Sequence, residues 1–153
     1  AQHGGVRLGI GDDETALRAY AEMAQRLGSR VILAPMYTGL ELAVGVVRTN
    51  VGATVLIGAG GTLIETLNDR CCVLAPASVK EVARAMAGLQ VTDVIRSRFG
   101  DASPEEDQLH RLVSRLTGLV AALGDDLQEL DINPIIIGDR GPMAVDALAV
   151  AKR

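Results

Sequence analysis

Two apolar runs separated by a short turn constrain the fold of this chain more than any other feature. LELAVGVVR occupies residues 40–48 and ATVLI occupies residues 53–57, with an apolar residue at every second position of each run. Such alternation is typical of a half-buried β-strand. Because only the turn from Thr49 to Gly52 lies between the runs, the pattern favours an antiparallel hairpin.

A second pair of apolar runs closes the chain. QELDINPIIIGDRGPMAVDAL, residues 128–148, predicts two strands joined by a turn at residues 138–141. Between the two pairs, capping-box patterns beginning at Ser78 and Ser103 predict the starts of two helices. Strands in adjacent pairs, interrupted by helices, predict an α+β fold with a largely antiparallel sheet flanked by helices. We expect one domain over residues 1–153.

The first part of the chain predicts two further strands and a helix. GVRLGI (5–10) alternates apolar residues, and VILAPM (31–36) is typical of a buried strand that is broken or bent at Pro35. Between them, apolar residues at helical spacing predict a helix that ends at Gly28.

Composition excludes several classes of protein. Hydrophobic residues make up 48% of the chain and charged residues 22%, which favours a packed core over disorder. No apolar run reaches the roughly 18–20 residues of a membrane helix, and the start lacks the pattern of a signal peptide, so we expect a cytoplasmic protein without membrane contact. A net charge of −4, with no Trp and one Phe, argues against a nucleic-acid partner.

Acidic and amide side chains interrupt the closing hairpin. If residues 138–141 form a four-residue turn, counting outward places Asn133 opposite Asp146 on one face of the sheet. Glu129 and Asp131 lie on the same face by two-residue alternation. Clustered oxygen ligands without Cys or His suit Mg²⁺ or Mn²⁺. The alternative is a solvent-facing side of a hairpin, which needs no ligand, and spacing alone leaves both interpretations open.

Two further features have paired interpretations. Glu41 lies on the strand face opposite Leu42, beside small residues that leave room for a ligand, although an ordinary exposed strand residue fits equally well. GAGG (58–61) follows a strand, but a dinucleotide fingerprint would need glycine where Leu63 stands. A flexible turn, or a loop in which two backbones approach closely, is therefore favoured.

The remaining reactive side chains suggest no covalent chemistry. His110 falls off the apolar stripe of its predicted helix, so we expect it to be solvated. Cys71 and Cys72 match neither a redox pair nor a zinc site and are interpreted as small core residues. No Ser-His-Asp or Cys-His arrangement is visible.

Several motifs occur together in a familiar order along nearly the whole chain. They are GGVRL (4–8), LELAVGVVR (40–48), IGAGGTLIETLND (57–69), LAP (74–76) and ELDINP (129–134) with VDA (145–147). The set resembles the ATP-grasp domain of ADP-forming acyl-CoA synthetases, the group of acetate–CoA ligase and the succinyl-CoA ligase β-subunit. ELDINP followed by VDA is its most specific part.

The resemblance implies a fold, a reaction and site residues. The fold is two α+β subdomains that grip ATP, and the reaction interconverts acid, CoA and ATP with acyl-CoA, ADP and phosphate through an acyl phosphate and a phosphohistidine. It implies that Asn133 and Asp146 are Mg²⁺ ligands with Asp131 beside them, and that Glu41 lines the cleft for ATP or ADP. The implied partner is a CoA-ligase domain or subunit that carries the CoA-binding and phosphohistidine segments.

The chain also departs from that pattern. Ala34-Pro35-Met36 stands where the family has Gln-Glu-Met at the adenine edge, and Val73 stands where a basic residue is common. The only lysines are Lys80 and Lys152, neither in a phosphate-binding position. We therefore expect the C-terminal part of an ATP-grasp domain that lacks its N-terminal lobe.

Three interpretations of function remain open on the sequence. The first is the ATP- and Mg²⁺-binding portion of an ADP-forming acyl-CoA synthetase, inactive as an isolated chain. The second is a degenerate ATP-grasp module for regulation or assembly, for example in an acetyltransferase fusion. The third is a plain α+β interaction domain with a solvated acidic hairpin. The acyl group and any homo-oligomer are not determined by the sequence.

Overall fold

The computed structural model describes residues 4–50, 52–60 and 69–152, and the chain divides into two compact units, Ala1–Met36 and Tyr37–Arg153. The first unit contains helix α1 (Asp13–Leu27). This helix begins where Asp12 Oδ1 accepts a hydrogen bond from Thr15 N–H at 2.7 Å, and it ends at Gly28. The helix predicted for this segment is confirmed.

The prediction of two strands in the first unit is wrong. Residues 5–10 and 31–36 are described throughout and form no strand. A strand needs a neighbour for its backbone N–H and C=O groups, and alternation of apolar residues supplies none. Ile32 is 95% exposed, so the second segment is not the buried strand that its composition predicted.

The second unit is built on one antiparallel sheet. Its order is β3-β2-β1-β4-β5, with β6 also paired to β4, and every pairing is antiparallel. The hairpins predicted at residues 40–57 and 128–148 are both confirmed. The strands are β1 (Leu40–Thr49), β2 (Gly52–Ala59), β3 (Arg70–Leu74), β4 (Leu127–Gly138), β5 (Gly141–Ala144) and β6 (Ala147–Ala151).

Helices of this unit cover one face of the sheet. Ser78 begins α2 with both bonds of a capping box, and Ser103 Oγ accepts from Glu106 N–H at 3.2 Å at the start of α4. α3 was not predicted. The helices among the described residues of this unit are α2 (Val79–Met86), α3 (Gln90–Phe99) and α4 (Pro104–Leu123), followed by a 3₁₀ turn (Gly124–Asp126). Within the described residues, no helix combines the length and the apolar character needed to cross a membrane.

The core lies between these helices and one face of the sheet. Side chains from β1, β2 and β4 meet side chains from α2, α3 and α4 there, so alternate strand positions are buried. The largest fully buried residues among those described are Leu42, Val44, Val55, Ile57, Val82, Met86, Ile95, Leu109, Val113, Val120, Ile135 and Ile137. The opposite face of the sheet, called the open face below, carries exposed residues such as Glu41, Arg70 and Cys72.

Helix α4 buries a second stripe that hydrophobicity does not reveal. Glu106, His110 and Thr117 are buried along with Val113 and Val120, at helical spacing. Glu106 is satisfied by Arg96, whose Nη2 lies 2.8 Å from Oε1. The expectation of a solvated His110 is wrong, because this stripe faces inward although several of its residues are polar.

Burial of His110 favours its neutral form. It is 8% exposed, and its Nε2 has no hydrogen-bond partner among the described residues. Burial lowers the pKa of His110 from its ordinary value of 6.5, and the carboxylates of Glu106 and Asp107 oppose that shift only in part. A buried imidazole with an unpaired nitrogen reduces the stability of the fold.

We predict that His110 makes the stability of the protein pH-dependent. The unfolded chain takes up a proton at His110 near pH 6.5, whereas the folded chain resists it. The free energy of unfolding is therefore highest above pH 6.5 and decreases as the pH falls through the lower pKa of the folded state. Urea unfolding at several pH values should show this loss, and His110→Leu should be less sensitive to pH over the same window. Equal pH dependence in both proteins would contradict the prediction.

Candidate functional site

The closing hairpin brings Asn133 and Asp146 together. Ile137 pairs with Pro142 on one side of them, and Ile132 pairs with Ala147 on the other. Between these pairs, the Asn133 N–H donates to the backbone oxygen of Asp146 at 3.2 Å. The register predicted by counting from the turn is therefore confirmed.

A β-bulge in β4 directs Asn133 to the open face of the sheet. Leu42 pairs with Ile135, but Val44 pairs with Ile132, so β4 uses one more residue than β1 across this step. Pro134 lies at this point and has no N–H to donate to a ladder. Because the bulge breaks the two-residue alternation, Ile132 and Ile135 both reach the core while Asn133 faces away from it.

A cavity of about 350 Å³ lies on this open face. Four strands and the segment before β3 contribute to it, and most of the residues at its centre are small. The lining residues are Ala43, Gly45, Leu56, Ile57, Gly58, Ala59, Asp69, Arg70, Asp131 and Asn133. Such a floor brings a ligand close to the backbone, with oxygen ligands on one side and a guanidinium on the other.

Two of the predicted site residues lie beside the cavity rather than in its lining. Asp146 is exposed opposite Asn133, and its Oδ1 accepts the Ala147 N–H at 2.9 Å. Glu41 is exposed at the start of β1, two residues from Ala43, and pairs with Ile136 of β4. The structure thus places Asp131 and Asn133 in the cavity lining, pairs the backbones of Asn133 and Asp146, and leaves Glu41 at the margin.

Gly60 joins the end of β2 to the start of β1. Its N–H donates to the backbone oxygen of Glu41 at 2.7 Å, and a Cβ at this position would lie 2.8 Å from the Glu41 carbonyl carbon. Such a distance is far inside van der Waals contact, so only glycine fits. The interpretation of GAGG as a loop of close backbone approach is confirmed at Gly60, while Gly61 and Leu63 lie outside the described residues.

Arg70 is the functional candidate that sequence reasoning missed. It begins β3 and pairs with Gly58, so its side chain shares the open face. Val73, where the sequence had suggested a lost basic residue, faces the core instead. Counting two-residue alternation back from Cys72 along this strand would have placed Arg70 on the open face.

The cysteines lie on opposite faces of β3. Cys71 packs against the core, and burial, with smaller effects from Cys72 and Asp69, raises the pKa of its thiol to about 11. Cys72 is exposed on the open face, so its interpretation as a core residue is wrong. The error arose because an edge strand with only one covered face exposes every second residue.

The donor set suits a hard divalent cation that is shared with a ligand. Among the described residues, no three His, Cys, Asp or Glu side chains converge as a metal cage. Mg²⁺, however, is usually bound by one or two carboxylates, with phosphates and water completing its octahedron. Asp146 and Asp131 supply carboxylates and Asn133 an amide oxygen, so these residues fit Mg²⁺ in that mode.

Comparison with known proteins gives a consistent picture. Residues 1–150 match the protein family described as ATP-grasp domain. The β subunit of acetate–CoA ligase (ADP-forming) I from Pyrococcus furiosus is 26% identical over 154 residues, which cover 94% of this chain and 66% of that subunit. 4-Hydroxybutyrate–CoA ligase (ADP-forming) from Nitrosopumilus maritimus is 24% identical over 148 residues, 90% of this chain and 21% of that enzyme. The chain spans only part of both relatives.

A solved structure shows the same fold. It is the dinucleotide-forming acetyl-coenzyme A synthetase 1 of Ca. Korarchaeum cryptofilum, in complex with coenzyme A and Mg-AMPPCP. The TM-score is 0.81 at 24% identity, over 99% of this chain and 70% of that one. The predicted α+β fold, an antiparallel sheet flanked by helices, is confirmed.

We predict opposite effects for the same substitution at two glycines. Gly60→Ala forces its new methyl group against the β1 backbone and should lower the free energy of unfolding by about 1–3 kcal/mol. Gly118 lies inside α4, where a Cβ would meet nothing within 4 Å, so Gly118→Ala should raise it by about 0.5–1 kcal/mol. Urea unfolding measures both. A neutral Gly60→Ala would show that β1 and β2 do not approach as described.

Proposed function

We propose, from the premise that this chain belongs to the ATP-grasp domain family, that it forms the Mg²⁺- and nucleotide-binding part of an ADP-forming acyl-CoA ligase. The whole chain would be one portion of an ATP-grasp domain. The observation that carries the proposal is the backbone pairing of Asn133 with Asp146, together with the position of Asn133 and Asp131 in the lining of a cavity that small residues floor.

Each site residue has a distinct part in this proposal. Asp146, in the connection between β5 and β6, contributes a negative charge, and Asn133 of β4 contributes a neutral oxygen whose direction the bulge fixes. Asp131 adds a second carboxylate one pleat away. Glu41 lies near the rim and contacts the nucleotide. When bound, Mg²⁺ would supply positive charge that aligns and neutralises the nucleotide phosphates.

The remainder of the reaction requires parts outside this chain. The reaction interconverts acid, CoA and ATP with acyl-CoA, ADP and phosphate through an acyl phosphate and a phosphohistidine. The curated relatives are a subunit or a whole enzyme longer than this chain. We therefore propose a partner domain or subunit with the CoA-binding and phosphohistidine segments, together with an N-terminal ATP-grasp lobe, in the cytoplasm.

A degenerate ATP-grasp module is the second candidate. It is favoured by one observation: neither Lys80 nor Lys152, both within the described residues, lines the cavity. Calorimetric titration of Mg²⁺–ATP into the complete polypeptide in which this chain occurs separates the two. Heat of binding supports the ligase, and its absence supports the degenerate module.

We predict that Asn133 and Asp146 are both required for nucleotide turnover. Asn133→Ala and Asp146→Ala, made in the complete polypeptide, should each lower Mg²⁺-dependent turnover by roughly 100-fold or more, because each removes a ligand worth several kcal/mol to the charged transition state. Higher Mg²⁺ concentration should partly restore the single variants.

The matched control lies in the turn of the same hairpin. Asp139 is an exposed carboxylate that pairs with Arg98 at 3.4 Å and does not line the cavity. Asp139→Ala changes the charge by the same amount as Asp146→Ala and should leave turnover unchanged. Full activity of the Asn133 and Asp146 variants would eliminate the proposal.

A further inference from the structure

Arg70 and Asn133 stand at the two ends of one row across the sheet. Arg70 pairs with Gly58 of β2, and Gly58 pairs with Ala43 of β1. Ala43 lies between Leu42 and Val44, whose partners flank the bulge that contains Asn133. The row therefore runs from a cation, over two residues with almost no side chain, to the oxygen ligands.

The length of this row suits an extended anion. Neighbouring strands lie about 4.8 Å apart, so the Cα atoms of Arg70 and Asn133 are separated by roughly 14 Å over three such steps. Gly58 cannot be enlarged, since a Cβ there would lie 2.8 Å from the Asp69 backbone oxygen and 3.2 Å from the Arg70 Cβ. A single small anion would reach one end of this row, whereas a polyphosphate can contact both.

The guanidinium of Arg70 is available to a ligand. Within the part of the chain that the structure describes, it has no hydrogen bond or ion pair, although several other arginines do. Those pairs are Arg7–Glu22, Arg18–Glu14, Arg48–Asp125, Arg96–Glu106, Arg98–Asp139 and Arg111–Asp107.

The carboxylate nearest to Arg70 in sequence is already engaged. Asp69 Oδ1 and Oδ2 accept the N–H groups of Gln90 and Val91, each at 2.9 Å, at the start of α3. Those bonds satisfy two otherwise unpaired helix donors. Asp69 therefore anchors the strand that carries Arg70 without neutralising it.

We infer that Arg70 binds the nucleotide phosphates, at the end of the polyphosphate that lies farthest from Asn133 and Asp146. The inference rests on the proposed function and adds a phosphate-binding residue to it. A planar guanidinium donates two parallel N–H bonds to phosphate oxygens, which a single metal at the far end cannot replace. Arg70 is the only Lys or Arg among the residues that line the cavity, all of which the structure describes.

The test is calorimetric binding of a non-hydrolysable ATP analogue with Mg²⁺ to the complete polypeptide. Arg70→Met keeps an unbranched apolar stem and removes the charge, and it should weaken binding by about 10- to 100-fold. Arg70→Lys keeps the charge but loses the two parallel N–H donors, so its affinity should lie between those of wild type and Arg70→Met. The affinity of wild type should also decrease more steeply with salt than that of Arg70→Met, because one ionic contact is lost.

Arg115→Met is the matched control. Arg115 is exposed on α4, which packs on the core face, and it does not line the cavity, so the same charge change there should leave affinity unaltered. Thermal midpoints equal to wild type would show that each variant is folded. Inorganic tripolyphosphate with Mg²⁺ serves as a competitor that lacks the nucleoside.

Each outcome decides between the claims. Weaker binding by Arg70→Met, with Arg115→Met unchanged and tripolyphosphate a poorer competitor against the variant, supports the inference. Equal affinity of Arg70→Met and wild type overturns the inference and leaves the proposed function standing. A wild-type protein that binds neither the analogue nor tripolyphosphate overturns both.

Discussion

The β-bulge at Asn133–Pro134 is the constraint on which the candidate site depends. A regular strand would place Asn133 and Ile135 on the same face, so a buried Ile135 would force the amide into the core. The extra residue in β4 allows Ile132 and Ile135 to be buried while Asn133 faces the cavity. The same strand therefore supports the hydrophobic core and presents the oxygen ligands, and the two requirements do not compete.

The open face combines small residues with a few charged ones. Ala43, Gly45 and Gly58 leave the backbone of β1 and β2 accessible, and Gly60 allows the two strands to remain close where they end. Among the residues that line the cavity, three are charged: Asp131 on β4, Arg70 on β3 and Asp69 directly before β3. A sheet face of this kind would suit an anionic ligand that meets the guanidinium at one end and a divalent cation held by the carboxylate at the other.

Much of this arrangement could be predicted from the sequence, and the failures have physical causes. The hairpin register followed from turn length. Alternation alone wrongly predicted strands at residues 5–10 and 31–36, because pairing is a tertiary property that local pattern does not report. His110 was missed because it lies on a buried helix stripe that also carries polar residues, among them Glu106, which Arg96 satisfies. Arg70 was missed because a charged residue at the start of a strand gives no apolar signal for where the strand begins.

The most direct test of the metal site is its location in a crystal. Crystals of the complete polypeptide with Mn²⁺ and a non-hydrolysable ATP analogue should give an anomalous peak at about 2.0–2.3 Å from oxygens of Asn133 and Asp146, the range for a hard divalent cation. Phosphate oxygens should complete its coordination over the floor of Ala43 and Gly58. An Mn²⁺ peak bound to the phosphates but away from both side chains, or no ordered metal beside a bound nucleotide, would contradict the account.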